Sequence, residues 1–315
     1  MKLLKWSFLA GVVATPAMAC DLCAVYSASL AQGEVGRGFL AGVAEQFTHF
    51  GTLRENGHEV SNEAGQYLDS LVSQVFVGYN LNNRFGLQLN IPIIYRAFKR
   101  PEGFNNDHGT ESGLGDTSLT GHFCVVQKLA NDSSFNWSVL GGVKFPTGST
   151  DRIKEEFNEV EVPGAPESGI HGHDLTLGSG SWDGIIGTSA FARWKRLFMA
   201  ASMQYTLRTE GDHDYEFAND LTWSGGPGVY LLLGHKHTLS LQLVVSGEHK
   251  EKDTFQGESA EDTGVTSVYL GPEIDFTWTE RLSSQVGVDL PVSIDNTALQ
   301  AVPDYRIRAA MTWRF

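Results

Sequence analysis

Residue types able to do chemistry gather at a few places along this 315-residue chain. Gly169-Ile170-His171-Gly172-His173-Asp174 brings two imidazoles and a carboxylate together, in a stretch that also carries Glu155, Glu156, Glu159, Glu161 and Glu167. Alternate histidines in a loop can chelate Zn²⁺ or Cu²⁺, which makes His171, His173 and Asp174 the candidate metal ligands. A closed site needs further fixed ligands, so the simpler expectation is a solvated acidic loop. Cys20-Asp21-Leu22-Cys23 offers a small disulfide, a redox pair or half a metal site in an oxidising compartment. No His follows Cys23, so the haem-attachment pattern is absent. Catalysis finds little support. The pairs His173-Asp174 and His213-Asp214 have no nucleophile placed beside them by sequence logic. The Gly-rich run 178–184 lacks the Gly-Lys-Ser/Thr of a phosphate-binding loop. No catalytic residue and no cofactor is assigned.

The remaining chemistry is charge held on strands. In the closing run PDYRIRAAMTWRF, Tyr305, Ile307, Ala309, Met311, Trp313 and Phe315 share one face of an extended strand. Arg306, Arg308 and Arg314 share the other, because side chains alternate with period two. The same alternation sets Val139 and Val143 against Asn136 and Lys144, and Leu241 and Leu243 against Gln242 and Glu248. It also sets Leu270 and Ile274 against Glu273 and Asp275, and Val286 and Val288 against Asp289. Carried along the chain, it assigns Asp116, His122, Lys144, Arg208, Glu273, Asp275, Asp289, Arg306, Arg308 and Arg314 to one polar interior. Opposed charges inside such a wall are expected to pair.

Twelve segments read as strands: 39–51, 66–80, 85–99, 113–129, 134–147, 182–195, 197–209, 216–233, 237–250, 265–279, 282–294 and 303–315. The first, second and sixth are ambiguous in facing. Short connectors at 80–84, 130–133, 194–197, 234–237 and 279–281 alternate with longer polar ones at 52–65, 100–112, 148–181, 210–215, 251–264 and 295–302. Short turns at one end, long loops at the other and an even strand count describe an all-β, closed antiparallel transmembrane barrel. A soluble sandwich has no reason to segregate its connectors this way.

Composition agrees. The chain has 35 Gly, 18 Phe, 9 Tyr, 7 Trp, three Cys and a net charge of −14, so a disulfide scaffold is excluded and nucleic acid is disfavoured as a partner. Residues 1–19 read as a secretory signal: Lys2 and Lys5, a short apolar core, then Ala17-Met18-Ala19. Cleavage there would leave Cys20 first, which invites lipidation, although Ala17 stands where lipoproteins usually carry Leu. A periplasmic segment at 20–38 and a barrel at 39–315 complete the expected organisation.

Four stretches carry a resemblance: Gly113-Leu114-Gly115-Asp116, Phe145-Pro146-Thr147-Gly148, Gly178-Ser179-Gly180-Ser181-Trp182-Asp183, and Pro92 with Tyr95-Arg96. Together they resemble a large family of bacterial outer-membrane transporters linked to degradation of phenol and other aromatic compounds. The resemblance covers 39–315; the insert between Gly148 and Leu175 and the cysteine pair fall outside it. It implies passive passage of small, hydrophobic or aromatic solutes through a barrel in outer-membrane lipid. A chain ending on Phe315 also resembles barrels whose assembly machinery reads a C-terminal Phe. Asp116 and Asp183 are expected at one outer rim, capping loop amides or lining a mouth. The main rival is a plugged barrel that engages metal or a periplasmic redox partner through the His-bearing loop or Cys20 and Cys23. A lipid-facing enzyme is a further rival.

Overall fold

The computed structural model describes residues 37–157, 162–234 and 236–315; the expected signal peptide and the Cys20/Cys23 pair lie outside the described residues. Twelve antiparallel strands form the wall. They are β1 (Gly38–Glu55), β2 (Tyr67–Asn80), β3 (Phe85–Glu102), β4 (Ser118–Leu129), β5 (Ser133–Lys144) and β6 (Asp183–Trp194). After them come β7 (Leu197–Leu207), β8 (Asp220–Leu233), β9 (Thr238–Lys250), β10 (Val265–Thr277), β11 (Leu282–Asn296) and β12 (Leu299–Arg314). Each pairs with its neighbour in sequence, and β12 pairs back onto β1 from Leu40↔Arg314 to Glu55↔Leu299. The barrel therefore has no open edge, which a lipid-exposed sheet requires.

Burial alternates along each strand. Val43, Leu89, Val143, Leu241, Ile274, Val286 and Ile307 are exposed on the outside. Their neighbours Gln46, Asn90, Lys144, Gln242, Glu273, Gln285 and Arg308 are buried within. An apolar outside around a polar inside inverts a soluble core and suits hydrocarbon as the surrounding solvent. Near the short turns stand aromatic pairs: Phe39 against Tyr79 (4.6 Å), half-buried Phe276 against exposed Trp278 (4.4 Å) and Trp313 against Phe315 (6.3 Å). They form the girdle expected at a headgroup level. Among the described residues no helix is long and apolar enough to cross a membrane.

The outer connectors differ from expectation. The proposed loops at 100–112 and 295–302 are largely strand, and that at 52–65 is half strand. β1 runs to Glu55 and folds back through His58–Val60; β3 runs to Glu102 and pairs with Asn105–Leu114. β11 and β12 are joined by residues 297–298 alone. Above the membrane both faces of a strand meet water, so polar residues on both sides do not signal its end. The fourth strand starts at Ser118 rather than 113, after a break at 115–117. Tyr215–Glu216 belongs to a small separate sheet with Thr254–Phe255 and Glu258–Ser259.

Candidate functional site

Three of the resembling motifs meet at the outer rim. Asp116 accepts hydrogen bonds from the Gly148 amide (3.0 Å), the Ser179 amide (2.9 Å), the Ser179 hydroxyl (2.8 Å) and Lys144 Nζ (2.7 Å). Thr147 Oγ1 donates to the Gly115 carbonyl and accepts from the Thr117 amide, both at 2.8 Å, bridging the strand break. Lys144 also pairs with Asp183 (2.7 Å), Asp183 with Arg208 (2.7 Å), and Arg208 with Asp220 (2.7 Å). Five buried charges of alternating sign therefore cross from the break before β4 to β8. The glycines have a steric reason. A Cβ on Gly148 would lie 2.5 Å from the Leu177 carbonyl oxygen, and one on Gly178 would lie 2.7 Å from Asp116 Oδ1. Only bare backbone lets the two ends of segment 145–182 approach so closely.

The described parts of that segment turn into the barrel. Ile153, Ile170 and Leu175 are fully or almost fully buried. Ile170 and Leu175 pack on Leu68 and Phe98 of the wall, and Leu177 packs on Val72 and Ile94. Arg152 pairs with Glu111 and Glu155, and Arg100 with Glu155 and Asp107. The expected solvated loop is instead an inward constriction, because its apolar side chains are covered by the inner faces of β2 and β3.

The two histidines form a clasp within it. Their rings stack 5.6 Å apart, tilted by only 8°. Glu156 Oε1 accepts from the His173 amide (2.7 Å) and sits 3.0 Å from Nδ1, while Asp174 Oδ1 lies 3.6 Å from Nε2. His171 Nε2 faces Asp262 at 3.3 Å. Burial would push the His173 imidazole down, but the Asp174 and Glu156 carboxylates outweigh it and hold its pKa well above the ordinary value. Burial would likewise raise Glu156, yet the His173 charge and hydrogen bonds bring it down to about 2. The pair is thus an ion pair at neutral pH. Among the described residues no group of three or more His, Cys, Asp or Glu is arranged to hold a metal ion. His171, His173 and Asp174 stand together, with these nitrogens already facing carboxylates.

Farther along the wall, Arg308 bridges Asp289 (2.7 Å) and Glu273 (3.0 Å). Arg306 reaches Glu248 (3.1 Å) and lies over the Tyr269 ring (4.6 Å). Asp275 accepts from Ser240 (2.9 Å), His122 is half-buried near Gly86, and Arg314 is half-buried near the short-turn end. Beside the charges lies a cavity of about 150 Å³, bounded by Gln242, Ser246, Glu273, Asp289, Arg306 and Arg308. Sequence reasoning did not single out Arg96, Ser70 or Tyr269 as interior site residues. Their inward parity with Gln74, Gln88 and Glu273 was the available signal.

In comparison with known proteins, the chain superposes on the crystal structure of an outer-membrane channel from Pseudomonas putida F1, with a TM-score of 0.62. The two are 14% identical over 92% of this chain and 100% of that one. The protein is a bacterial outer-membrane β-barrel. Looser likenesses join it to the translocator domain of the autotransporter NalP from Neisseria meningitidis (TM-score 0.42, 12% identity, 89% of each chain) and to the CymD monoaromatic hydrocarbon channel (0.38, 7%, 90% of each). No family model matches the chain, and no curated protein matches it in sequence.

Proposed function

We propose that this barrel is a passive channel for small solutes, entered from outside past the inward segment 145–182. The observation that carries the reading is the cavity of about 150 Å³ inside the wall, lined by side chains of several wall strands. A barrel interior that served only as a packed core would be filled there. Charge pairs such as Arg308 with Asp289 and Glu273 leave the passage polar without a strong field of one sign. Toward the short turns the inner face becomes apolar, with Phe76 beside Leu40 and Ala44, and Phe191 and Phe198 beside Tyr230. This change, with the resemblance of the sequence motifs, supports small hydrophobic or aromatic solutes as cargo. The assembly machinery that reads a terminal Phe, acting on Phe315, is the partner proposed for insertion.

A second reading has its own support. The buried Ile153, Ile170 and Leu175 anchor the segment inside the barrel, which supports a plugged or binding barrel. Liposome swelling separates the two. A channel admits arabinose and small aromatic alcohols with the segment in place; a barrel plugged by the segment admits them only once the segment is cut away.

A further inference from the structure

Arg96 of β3 faces inward, is 2% exposed, and makes no hydrogen bond or ion pair among the described residues. Its Nε and Nη2, the two nitrogens of one guanidinium edge, are both buried and open. Directly opposite in register on β2 is Ser70, 0% exposed, whose hydroxyl is also without a partner. Nearby cations are matched: Arg100 by Asp107 and Glu155, Arg306 by Glu248, Lys250 by Asp253. A buried guanidinium is costly to leave uncompensated, and an orphan pair of donors side by side needs an explanation.

Arg96 opens on a cavity of about 60 Å³ between the inward segment and the wall, bounded also by Leu68, Ile170, Phe217, His173 and Lys250. By volume this is room for roughly four waters. Two carboxylates reach the cavity, and both are engaged elsewhere. Glu248 takes Arg306 on both oxygens at 3.1 Å, and Asp174 accepts the His171 amide at 2.9 Å. Neither offsets Arg96.

We propose that this cavity binds a small monocarboxylate, of the size of acetate to butyrate. Its carboxylate takes the open Nε–Nη2 edge of Arg96 side-on, the bidentate arrangement that a planar guanidinium favours, with the Ser70 hydroxyl as a third donor. Its carbon chain lies against Leu68, Ile170 and Phe217. The inference deepens the channel reading by naming a class of solute held beneath the inward segment, and to that extent rests on it.

The test is calorimetric titration of the full-length folded barrel in detergent with sodium butyrate, sodium acetate, inorganic phosphate and n-butanol, alongside liposome swelling with arabinose. Butyrate is expected to bind the natural protein at least about tenfold more tightly than n-butanol. Arg96→Gln is expected to weaken butyrate by at least about tenfold, and Ser70→Ala by less. Arg96→Lys, a point charge without the fork, falls between. Arg96→Gln removes an uncompensated buried charge, so it is expected to fold; should it fail, the contrast of butyrate with n-butanol and phosphate on the natural protein still decides. Absence of carboxylate binding, unchanged binding in Arg96→Gln, or phosphate displacing butyrate as the tighter ligand overturns the proposal. Arabinose flux without butyrate binding overturns this inference alone. Butyrate binding that depends on Arg96, without flux, overturns the channel reading alone.

Discussion

Replacing Asp116 by Ala removes the hub of the outer-rim latch. Its side chain is 7% exposed and accepts four hydrogen bonds, two of them from backbone amides at opposite ends of segment 145–182. Breaking a buried ion pair by deleting one partner typically costs about 3–5 kcal/mol. Here Lys144 keeps Asp183 at 2.7 Å, so no lysine is stranded and the cost belongs at the low end, about 3 kcal/mol. The loss falls on the closed arrangement of the segment, since the wall ladders do not pass through the Asp116 side chain. At about 1.4 kcal/mol per decade, opening of the segment becomes roughly a hundredfold more frequent. Amide hydrogen exchange reads it directly. The Leu177 and Gly178 amides donate to the Ser149 carbonyl (3.1 and 3.0 Å), not to Asp116, so they report opening rather than the loss of their own acceptor. Both should exchange about a hundredfold faster in Asp116→Ala, while wall amides at Leu241 and Val286 stay protected. Unchanged exchange at Leu177 and Gly178 would refute the latch.

Two further outcomes follow from the same geometry. Arg in place of Val139, Leu241 or Ile274 on the outer belt should destabilise folding into bilayers by about 2–4 kcal/mol, measured by reversible denaturant titration, against about 0–1 at Leu129 near the short turns. Equal costs at both heights would contradict the placement in the membrane. The His173–Glu156 clasp should hold in a pH window. Glu156, lowered to about 2, contributes fully above its ordinary 4.5 and loses that contribution as pH falls toward 2. His173, raised, contributes fully below its ordinary 6.5 and loses it as pH climbs through the raised value. Limited proteolysis of segment 145–182 across pH should therefore show a minimum between roughly pH 4.5 and 6.5, rising on both sides, with the alkaline limb flattened in His173→Gln.

The wall was legible because lipid imposes a strict period of two. Val286, Val288 and Leu290 opposite Gln285 and Asp289 fix both the strand and its facing. Facing was ambiguous in β1, β2 and β6 for a reason visible in the structure: Leu40, Leu68, Val72 and Ile185 are apolar yet point inward, where Leu68 and Val72 receive the inward segment. That segment was misread as solvated because Ile153, Ile170, Leu175 and Leu177 follow no period; their common burial is created by the walls they meet. Parity placed Arg306 inside, but its pairing with Glu248 joins residues 58 apart in sequence, which a local pattern does not encode. The motif glycines Gly148 and Gly178 owe their place to a close backbone approach that spacing alone does not show. The isolation of Arg96 is a property of its surroundings and leaves no trace in composition or spacing.

The central claim is that the wall itself, not the inward segment, holds a conduction path. It is tested most directly by swelling of liposomes loaded with purified protein, comparing the intact chain with one lacking residues 151–174. The account predicts measurable arabinose flux through the intact barrel and a several-fold faster flux after deletion, with the barrel still showing heat-modifiable mobility on gels. No flux from either protein, in barrels shown to be folded, would contradict it.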